Sequence, residues 1–573
     1  MALRQIGQIF VDLGFLSEDQ LDLLVEEQQQ RPGQLIGRIA VDMGLLNDEQ
    51  VAQALAEQMG LQMVKLSEVV IPPDVLAYVT EPMAQLYRIV PVSFKDNTLT
   101  VAMCDPQKLS IIDELRSFLG YDVRSVVTTE DDILKTLERY YAAGGESVET
   151  LIADMETDVE LAEAAKSLEG REGPLDLTSV EALADSAPVR KLLNMVLLLA
   201  IKDHSSDLHL EPFESEFKIR IRGDGVLYEM VPPPRHLAFA ITTRVKVMAD
   251  LDIAERRLPQ DGRIRLTVGG HPVDLRVSVL PTMFGESVVL RILDRSVVML
   301  DLDVIGLDEG PLRHFREIVR RPNGIVLVTG PTGSGKTTTL YAALNELNVV
   351  TDKIITTEDP VEYDIDGIVQ MQIDPSIGNT FAKCLRSILR QDPDKILVGE
   401  IRDLETAETA VQASLTGHMV FSTLHTNDAA ATVTRLRDMG LPPFLITATL
   451  EAVLAQRLVR KICLDCREET VPSTEMLGDL DLTPEAVLGK KFFRGRGCVA
   501  CNNTGYKGRT GLYELMPMND HLRELVNGGC STEQLRDAGL QAGMEPLRVA
   551  GLEKIYTGIT TTSEVIRETS VEA

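Results

Sequence analysis

No uninterrupted apolar run in this 573-residue chain approaches the roughly 20 residues that a helix needs to span a bilayer. A membrane-embedded carrier or channel built on helices is therefore not expected. The opening stretch, MALRQIGQIFVDLGFLSEDQ, has no long apolar core after its basic residue and meets acidic residues early. It does not read as a secretory signal, and a cytoplasmic location is expected. Positive charge is short as well: 57 Lys and Arg stand against 87 Asp and Glu, a formal net charge of -30. That balance argues against a dominant nucleic-acid surface, because neutralised phosphates supply most non-specific affinity for such polymers. Cysteine is scarce, with seven in the whole chain. In a reducing compartment so few thiols point to metal ligation or ordinary packing rather than to a disulfide framework.

What remains is the composition of a globular protein, 44% hydrophobic and 25% charged. The length exceeds what one core supports, so roughly two to four domains are expected. The first 60 residues carry an internal repeat. Ile6, Gly7, Ile9, Gly14, Leu16, Gln20 and Gln28 recur 30 positions later as Ile36, Gly37, Ile39, Gly44, Leu46, Gln50 and Gln58. This predicts a duplicated helical module over 1–61. Residues 62–143 mix short apolar runs with helical stretches and read as a small α+β module. The acidic, aromatic-poor stretch 144–178 reads as an interdomain linker. A second mixed α/β domain is expected over 179–305. Residues 306–573 alternate strand-like and helical runs, the sign of a mainly parallel sheet covered by helices.

Within that last region residues 324–340 read GIVLVTGPTGSGKTTTL. A buried strand is followed by Gly330, four residues, Gly335, Lys336 and Thr337, then a helix-forming run, which matches GxxxxGK[ST] in its strand–loop–helix context. Glycines let backbone N–H groups turn toward phosphate oxygens, Lys336 supplies positive charge and Thr337 a Mg²⁺ ligand. Three further apolar runs end in polar residues: KIITTED, KILVGEIRD and MVFSTLHTND. Ligands of open α/β sheets bind beyond the carboxyl ends of the strands, so Glu358, Glu400 and His425 are expected to converge on Lys336. Hydrolysis of a phosphoanhydride needs a held Mg²⁺, an oriented water and neutralised charge, and carboxylates and a histidine suit the first two tasks. Gly399 stands where an Asp commonly precedes the strand-end Glu, so contact of Glu400 with the metal is expected through water.

Cys463-x-x-Cys466 and Cys498-x-x-Cys501 form two thiolate pairs, the second inside the glycine-rich GCVACNNTGYKGRTG. They fit a tetrahedral Cys₄ zinc site in an insert at 463–501, with redox chemistry at one pair as the rival reading. Cys104, Cys384 and Cys530 are isolated and read as packed thiols.

These segments resemble the type II secretion and type IV pilus assembly ATPase family over nearly all of residues 180–573. GPTGSGKTTTLYAALNELN resembles its Walker A segment and TTEDPVEYDIDGI its Asp box. RSILRQDPDKILVGEIRDLETAETAVQASLTGH resembles the Walker B segment and STLHTNDA the His box. SSDLHLEP, IRGDGVL and LDIAERRLPQDGRI resemble the domain that precedes the motor. The resemblance implies a RecA-like P-loop motor behind a mixed α+β domain, with a helical and α+β N-terminal extension. It implies ATP and Mg²⁺ bound by Gly330, Pro331, Thr332, Gly333, Ser334, Gly335, Lys336, Thr337 and Thr338. By the same resemblance Glu358 is the catalytic carboxylate, with Glu362 the alternative, Glu400 lies on the metal side, and His425 senses the γ-phosphate. Arg220 and Arg235 match family arginines that reach the γ-phosphate when the preceding domain closes on the motor.

The tetracysteine insert and the N-terminal extension resemble the assembly branch rather than the retraction branch. A homo-hexamer is implied, attached peripherally to the inner membrane through a platform protein and its cytoplasmic adaptor. It would power extension of a pilus or of a secretion pseudopilus. The 30-residue repeat is similar to a module that binds cyclic di-GMP in some members. Here Gln5 and Leu35 replace the arginines of that motif, which weighs against nucleotide binding and favours docking to the platform. The competing readings are a regulatory nucleotide-binding adaptor that hydrolyses little, and a DNA translocase, which the acidic balance disfavours.

Overall fold

The computed structural model of the protein describes residues 4–31, 34–76, 78–107, 109–119, 121–141, 152, 177–230, 232–268, 271–294 and 300–570. The expected linker 144–178 lies outside them except for Ile152, Leu177 and Thr178. The chain divides into two compact units, Met1–Val297 and Val298–Ala573.

The first unit opens with two pairs of helices, Ile6–Asp12 with Glu18–Gln30 and Ile36–Asp42 with Asp48–Met59. The same devices recur in each pair. Ser17 with Gln20, and Asn47 with Gln50, form reciprocal capping boxes that satisfy the free N–H groups of the longer helix. Gly7 and Gly37 sit where the short helix meets the long one. A Cβ there would stand 2.7 Å from Leu21 Cδ1 and 2.9 Å from Val51 Cγ1 respectively. Ile9, Phe10, Leu24, Ile39 and Ala40 fill the seam and are at most 1% exposed.

Three strands follow, β1 (Ile89–Lys95), β2 (Thr98–Met103) and β3 (Asp122–Val127), with β1–β2 antiparallel and β2–β3 parallel. The rest of this unit is a six-stranded antiparallel sheet with the helices Leu177–Ala184, Ala187–Lys202 and Ala238–Met248. Its strands are β4 (Asp207–Pro212), β5 (Phe217–Gly223), β6 (Val226–Glu229), β7 (Gln260–Val268), β8 (His271–Thr282) and β9 (Gly285–Asp294), in the order β6-β5-β4-β9-β8-β7. Alternation along β5 buries Phe217, Ile219 and Ile221 and turns Lys218, Arg220 and Arg222 the other way.

The second unit is built on β10 (Gly324–Thr329), β11 (Ile354–Glu358), β12 (Val369–Gln372), β13 (Lys395–Val398), β14 (Met419–Leu424) and β15 (Leu450–Ile462). A small two-stranded sheet, β16 (Arg467–Thr470) with β17 (Phe492–Gly495), lies in the cysteine insert, and β18 (Tyr506–Pro517) completes the large sheet. The order is β12-β11-β13-β14-β10-β15-β18, parallel throughout except for β15 with β18. Every residue of β10 and β14 is buried. That follows from crossover helices on both faces, and it is why these strands read as continuous apolar runs instead of alternating. The crossovers bring the carboxyl ends of β10, β11, β13 and β14 to one edge of the sheet.

Candidate active site

The loop after β10 turns into the helix Lys336–Leu347 through glycines that no other residue replaces. Gly330 has φ 148° and Gly335 φ 88°. A Cβ on Gly330 would stand 2.5 Å from the Gln456 carbonyl oxygen, and one on Gly335 would stand 2.8 Å from Gln456 Nε2. Gly333 (φ 81°) has nothing within 4 Å of its Cβ position, so the loop's outer side is open. Lys336 is 9% exposed and its Nζ donates to the carbonyls of Gly330 (2.8 Å) and Pro331 (3.0 Å). Burial lowers its ammonium to about 8; the charge of Glu400 opposes that shift and the charge of Arg457 adds to it. Ser334 Oγ is buried in the same loop without a hydrogen-bond partner. A buried cation, an orphaned hydroxyl and a helix N-terminus around an open glycine loop fit the phosphates of a nucleotide. Thr337 is exposed in the first helical turn.

The expected strand-tip residues divide. Glu400, two residues beyond β13, pairs with Arg402 and lies with its Oε2 3.4 Å from His425 Nε2, one residue beyond β14. These tips are stitched together: Ile401 N–H donates to Thr423 O (3.1 Å), and Thr423 Oγ1 donates to Gly399 O (2.7 Å). Glu358, the last residue of β11, is 3% exposed. It accepts hydrogen bonds from the hydroxyls of Tyr341 and Thr356 and from Gln370 Nε2 at 3.1 Å. Its carboxylate is thus held inside, while Glu362 is half-buried. In the first unit Arg220 forks onto Glu211, with Nε and Nη2 each 2.7 Å from a carboxylate oxygen. Arg235 donates to the carbonyls of Phe213 (2.9 Å) and Phe284 (2.7 Å).

Two site neighbours escaped the sequence reading. Gln456, whose carbonyl and amide hem in the phosphate loop, also accepts from Thr339 Oγ1 at 2.8 Å. Arg457, 8% exposed, donates to Asn427 O (3.0 Å) and Oδ1 (3.3 Å), two residues after His425. The signal was the polar pair inside the apolar run LEAVLAQRLVRKI.

The profile of the family described as type II/IV secretion system protein matches residues 182–567. The chain belongs to this family. An MshEN domain profile matches residues 59–147. The type IV pilus assembly ATPase PilB of Myxococcus xanthus is 45% identical over 569 residues, covering 99% of either chain. The type II secretion system ATPase E of Vibrio cholerae is 52% identical over 385 residues, 67% of this chain and 76% of that one. The X-ray structure of the Yersinia pseudotuberculosis ATPase DotB, 21% identical, superposes with a TM-score of 0.50 over 66% of this chain and 93% of its own. As a member of this family the chain is an ATPase with a RecA-like motor fold, and ATP and Mg²⁺ are implied with it.

The four cysteines also come together. One sulfur from each of Cys463, Cys466, Cys498 and Cys501 lies within 4.8 Å of all the others. Three of the separations are 3.9 Å (463–498), 3.9 Å (466–501) and 3.6 Å (498–501). Sulfurs about 2.3 Å from a central zinc in a tetrahedron stand about 3.8 Å apart, so the donor set fits that ion. Burial raises the Cys463 and Cys466 thiols, the latter to about 12, whereas at Cys501 N–H donors from Cys498 (3.2 Å) and Gly505 (3.3 Å) outweigh burial and bring it down to about 6.

Proposed function

We propose that this ATPase is a homo-hexameric motor whose turnover drives a membrane-embedded platform protein, reached with a cytoplasmic adaptor, to add pilin-like subunits to a pilus or secretion pseudopilus. The observation that carries this reading is the buried Lys336 in an open glycine loop after β10, at the sheet edge where β13 and β14 bring Glu400 and His425 to 3.4 Å from each other. In this proposal residues 330–338 wrap the phosphates and Lys336 gives up its loop carbonyls for them. Thr337, and Glu400 through water, would hold a Mg²⁺, and that ion would supply the charge neutralisation that phosphoryl transfer requires. His425 turns from Glu400 to the terminal phosphate. Glu358 orients the attacking water. A second reading gives that task to Glu362, because Glu358 is 3% exposed with three donors on its carboxylate whereas Glu362 reaches the surface.

Arg220 and Arg235 are proposed to complete the site from the domain at 179–305. The module at 1–61, lacking arginine at Gln5 and Leu35, serves docking rather than cyclic di-GMP binding. The small module at 62–143 and the linker at 144–178 connect it to the motor at 306–573, and the insert at 463–501 binds zinc. No nucleic-acid partner is proposed. Turnover by the purified full chain, lost in Lys336→Ala with nucleotide-free stability retained, tests the motor against a non-hydrolysing adaptor; wild-type turnover in Lys336→Ala would end the proposal.

A further inference from the structure

The hydroxyl of Tyr341 joins the Glu358 carboxylate to the backbone of Glu362. Tyr341 lies five residues after Lys336 on the phosphate-loop helix, about 7.5 Å along its axis, and its side chain is 0% exposed. Its O–H donates to Glu358 Oε2, and its oxygen accepts the backbone N–H of Glu362 at 3.3 Å. Burial first, and the charge of Glu358 second, raise the phenol far above its ordinary value, so it stays protonated and keeps donating. The ring meets Tyr363 edge-on, with centroids 6.2 Å apart.

Gln370 on β12 closes the same turn from the other side. Its Nε2 donates to Glu358 Oε1 (3.1 Å) and to Tyr363 O (2.9 Å), while its Oε1 accepts Ile365 N–H (2.8 Å). The segment from Glu358 to Ile365 is therefore tied at the Glu358 carboxylate and at the backbone of Glu362, Tyr363 and Ile365 by two side chains. One rides on the helix that begins with Lys336 and the other on the neighbouring strand. Packing alone does not require this: a phenylalanine fills the space of Tyr341, and a methionine that of Gln370.

We propose that Tyr341 and Gln370 are positioning residues of the ATPase site, which fix the 358–365 segment and couple its carboxylates to movements of the phosphate-loop helix. The inference rests on the reading of this segment as the source of the catalytic carboxylate. Each residue acts through Glu358 and the turn, so its removal misplaces a group needed in the transition state and leaves nucleotide binding to the glycine loop.

The test uses the full-length protein with Tyr341→Phe, Gln370→Met and the double variant, measuring kcat, KM for ATP, nucleotide affinity and thermal midpoint. The expected result is a kcat lowered about tenfold or more in each single variant, with KM and nucleotide affinity within about threefold of wild type. Because both act on one segment, the double variant should fall short of the product of the two losses. Unchanged kcat in both single variants, or a raised KM at unchanged kcat, overturns the proposal. If Tyr341→Phe lowers the thermal midpoint too far to assay, Gln370→Met decides alone by the same criteria. Glu358→Gln and Glu362→Gln separate the two levels. Full turnover in both defeats the reading of the segment, whereas lost turnover in either beside wild-type Tyr341→Phe and Gln370→Met defeats this inference alone.

Discussion

His425 Nε2 lies 3.4 Å from Glu400 Oε2, and the two arrive there from adjacent parallel strands, β13 and β14, whose residues Val398 and Ser422 are paired in register. Glu400 is the enclosed partner, its side chain 14% exposed against 51% for His425, and it carries Arg402 on its other side. The carboxylate is held by Arg402, and the more exposed imidazole lies beside its other oxygen.

Glu400→Gln is expected to retain nucleotide affinity within about tenfold and to lose on the order of 10² or more in kcat, because the amide keeps the shape but not the charge. His425→Ala should lower kcat in the same sense with a smaller change in affinity. Steady-state turnover alongside fluorescent-nucleotide titration checks both. Wild-type kcat in Glu400→Gln is incompatible with its proposed place beside the metal.

Lys336 gives a pH signature with a defined sign. Its ammonium titrates at about 8 in the folded chain against an ordinary 10.5, chiefly through burial. Below about 8 the amine is charged in both folded and unfolded chains. Between about 8 and 10.5 the unfolded chain holds a proton that the folded one has released, so this group makes nucleotide-free stability rise with pH across that window. Phosphate binding requires the charged form. ATP affinity should therefore fall as pH rises above about 8, with proton uptake on binding, and calorimetry in buffers of different ionisation enthalpy measures that uptake directly. Binding at pH 9 with no proton uptake and undiminished affinity would contradict the shift.

Much of this site was legible because its chemistry is local in sequence. The phosphate loop is one contiguous segment between a buried strand and a helix, and the cysteine pairs announce themselves by spacing, so both could be placed before any contact was known. Glu400 and His425 could be named as strand ends because a doubly covered parallel sheet shows each strand as an apolar run with a polar tip. Gln456, Arg457, Tyr341 and Gln370 were not legible in this way. Gln456, Arg457 and Gln370 reach the site through the strand order β12-β11-β13-β14-β10-β15, which sets Gln456 against a loop more than a hundred residues earlier, whereas Tyr341 sits beside the loop in sequence but reads as one more buried residue of its helix. The interior position of Glu358 was hidden likewise, since a strand-end carboxylate reads the same whether it faces solvent or a tyrosine.

The tetracysteine insert is expected to hold about one zinc per chain, because four sulfurs already stand at the spacing of a tetrahedral site. Elemental analysis of freshly purified protein, then of protein treated with a strong chelator, should show loss of zinc together with a lowered thermal midpoint. Cys501→Ser should show the same, since it removes the sulfur that two N–H donors hold near the thiolate form. Absence of zinc with four reactive thiols in untreated protein would rule the site out.

The last expectation concerns Arg220 and Arg235. The bland account is structural. Arg220, with a side chain 32% exposed, makes a two-pronged pair with Glu211, and partly exposed pairs of this kind contribute about 1 kcal/mol or less. Arg235 ties two backbone carbonyls, those of Phe213 and Phe284. On that account alanine at either position shifts the thermal midpoint slightly and leaves turnover alone. The family resemblance assigns more, a guanidinium that neutralises the transferring phosphoryl group and is worth roughly 10³ in rate. Glu211 then holds Arg220 extended in one rotamer until phosphate competes for it. Three variants separate the accounts. Arg220→Ala and Arg235→Ala should lower kcat sharply while nucleotide affinity falls only severalfold and the oligomeric state matches that of the wild type. Glu211→Gln should leave Arg220 charged but unrestrained, and so should lower kcat far less than Arg220→Ala. Wild-type turnover in both arginine variants and in their double combination, at an unchanged oligomeric state, would leave these residues as surface charge and backbone staple, and the site would be complete within the motor itself.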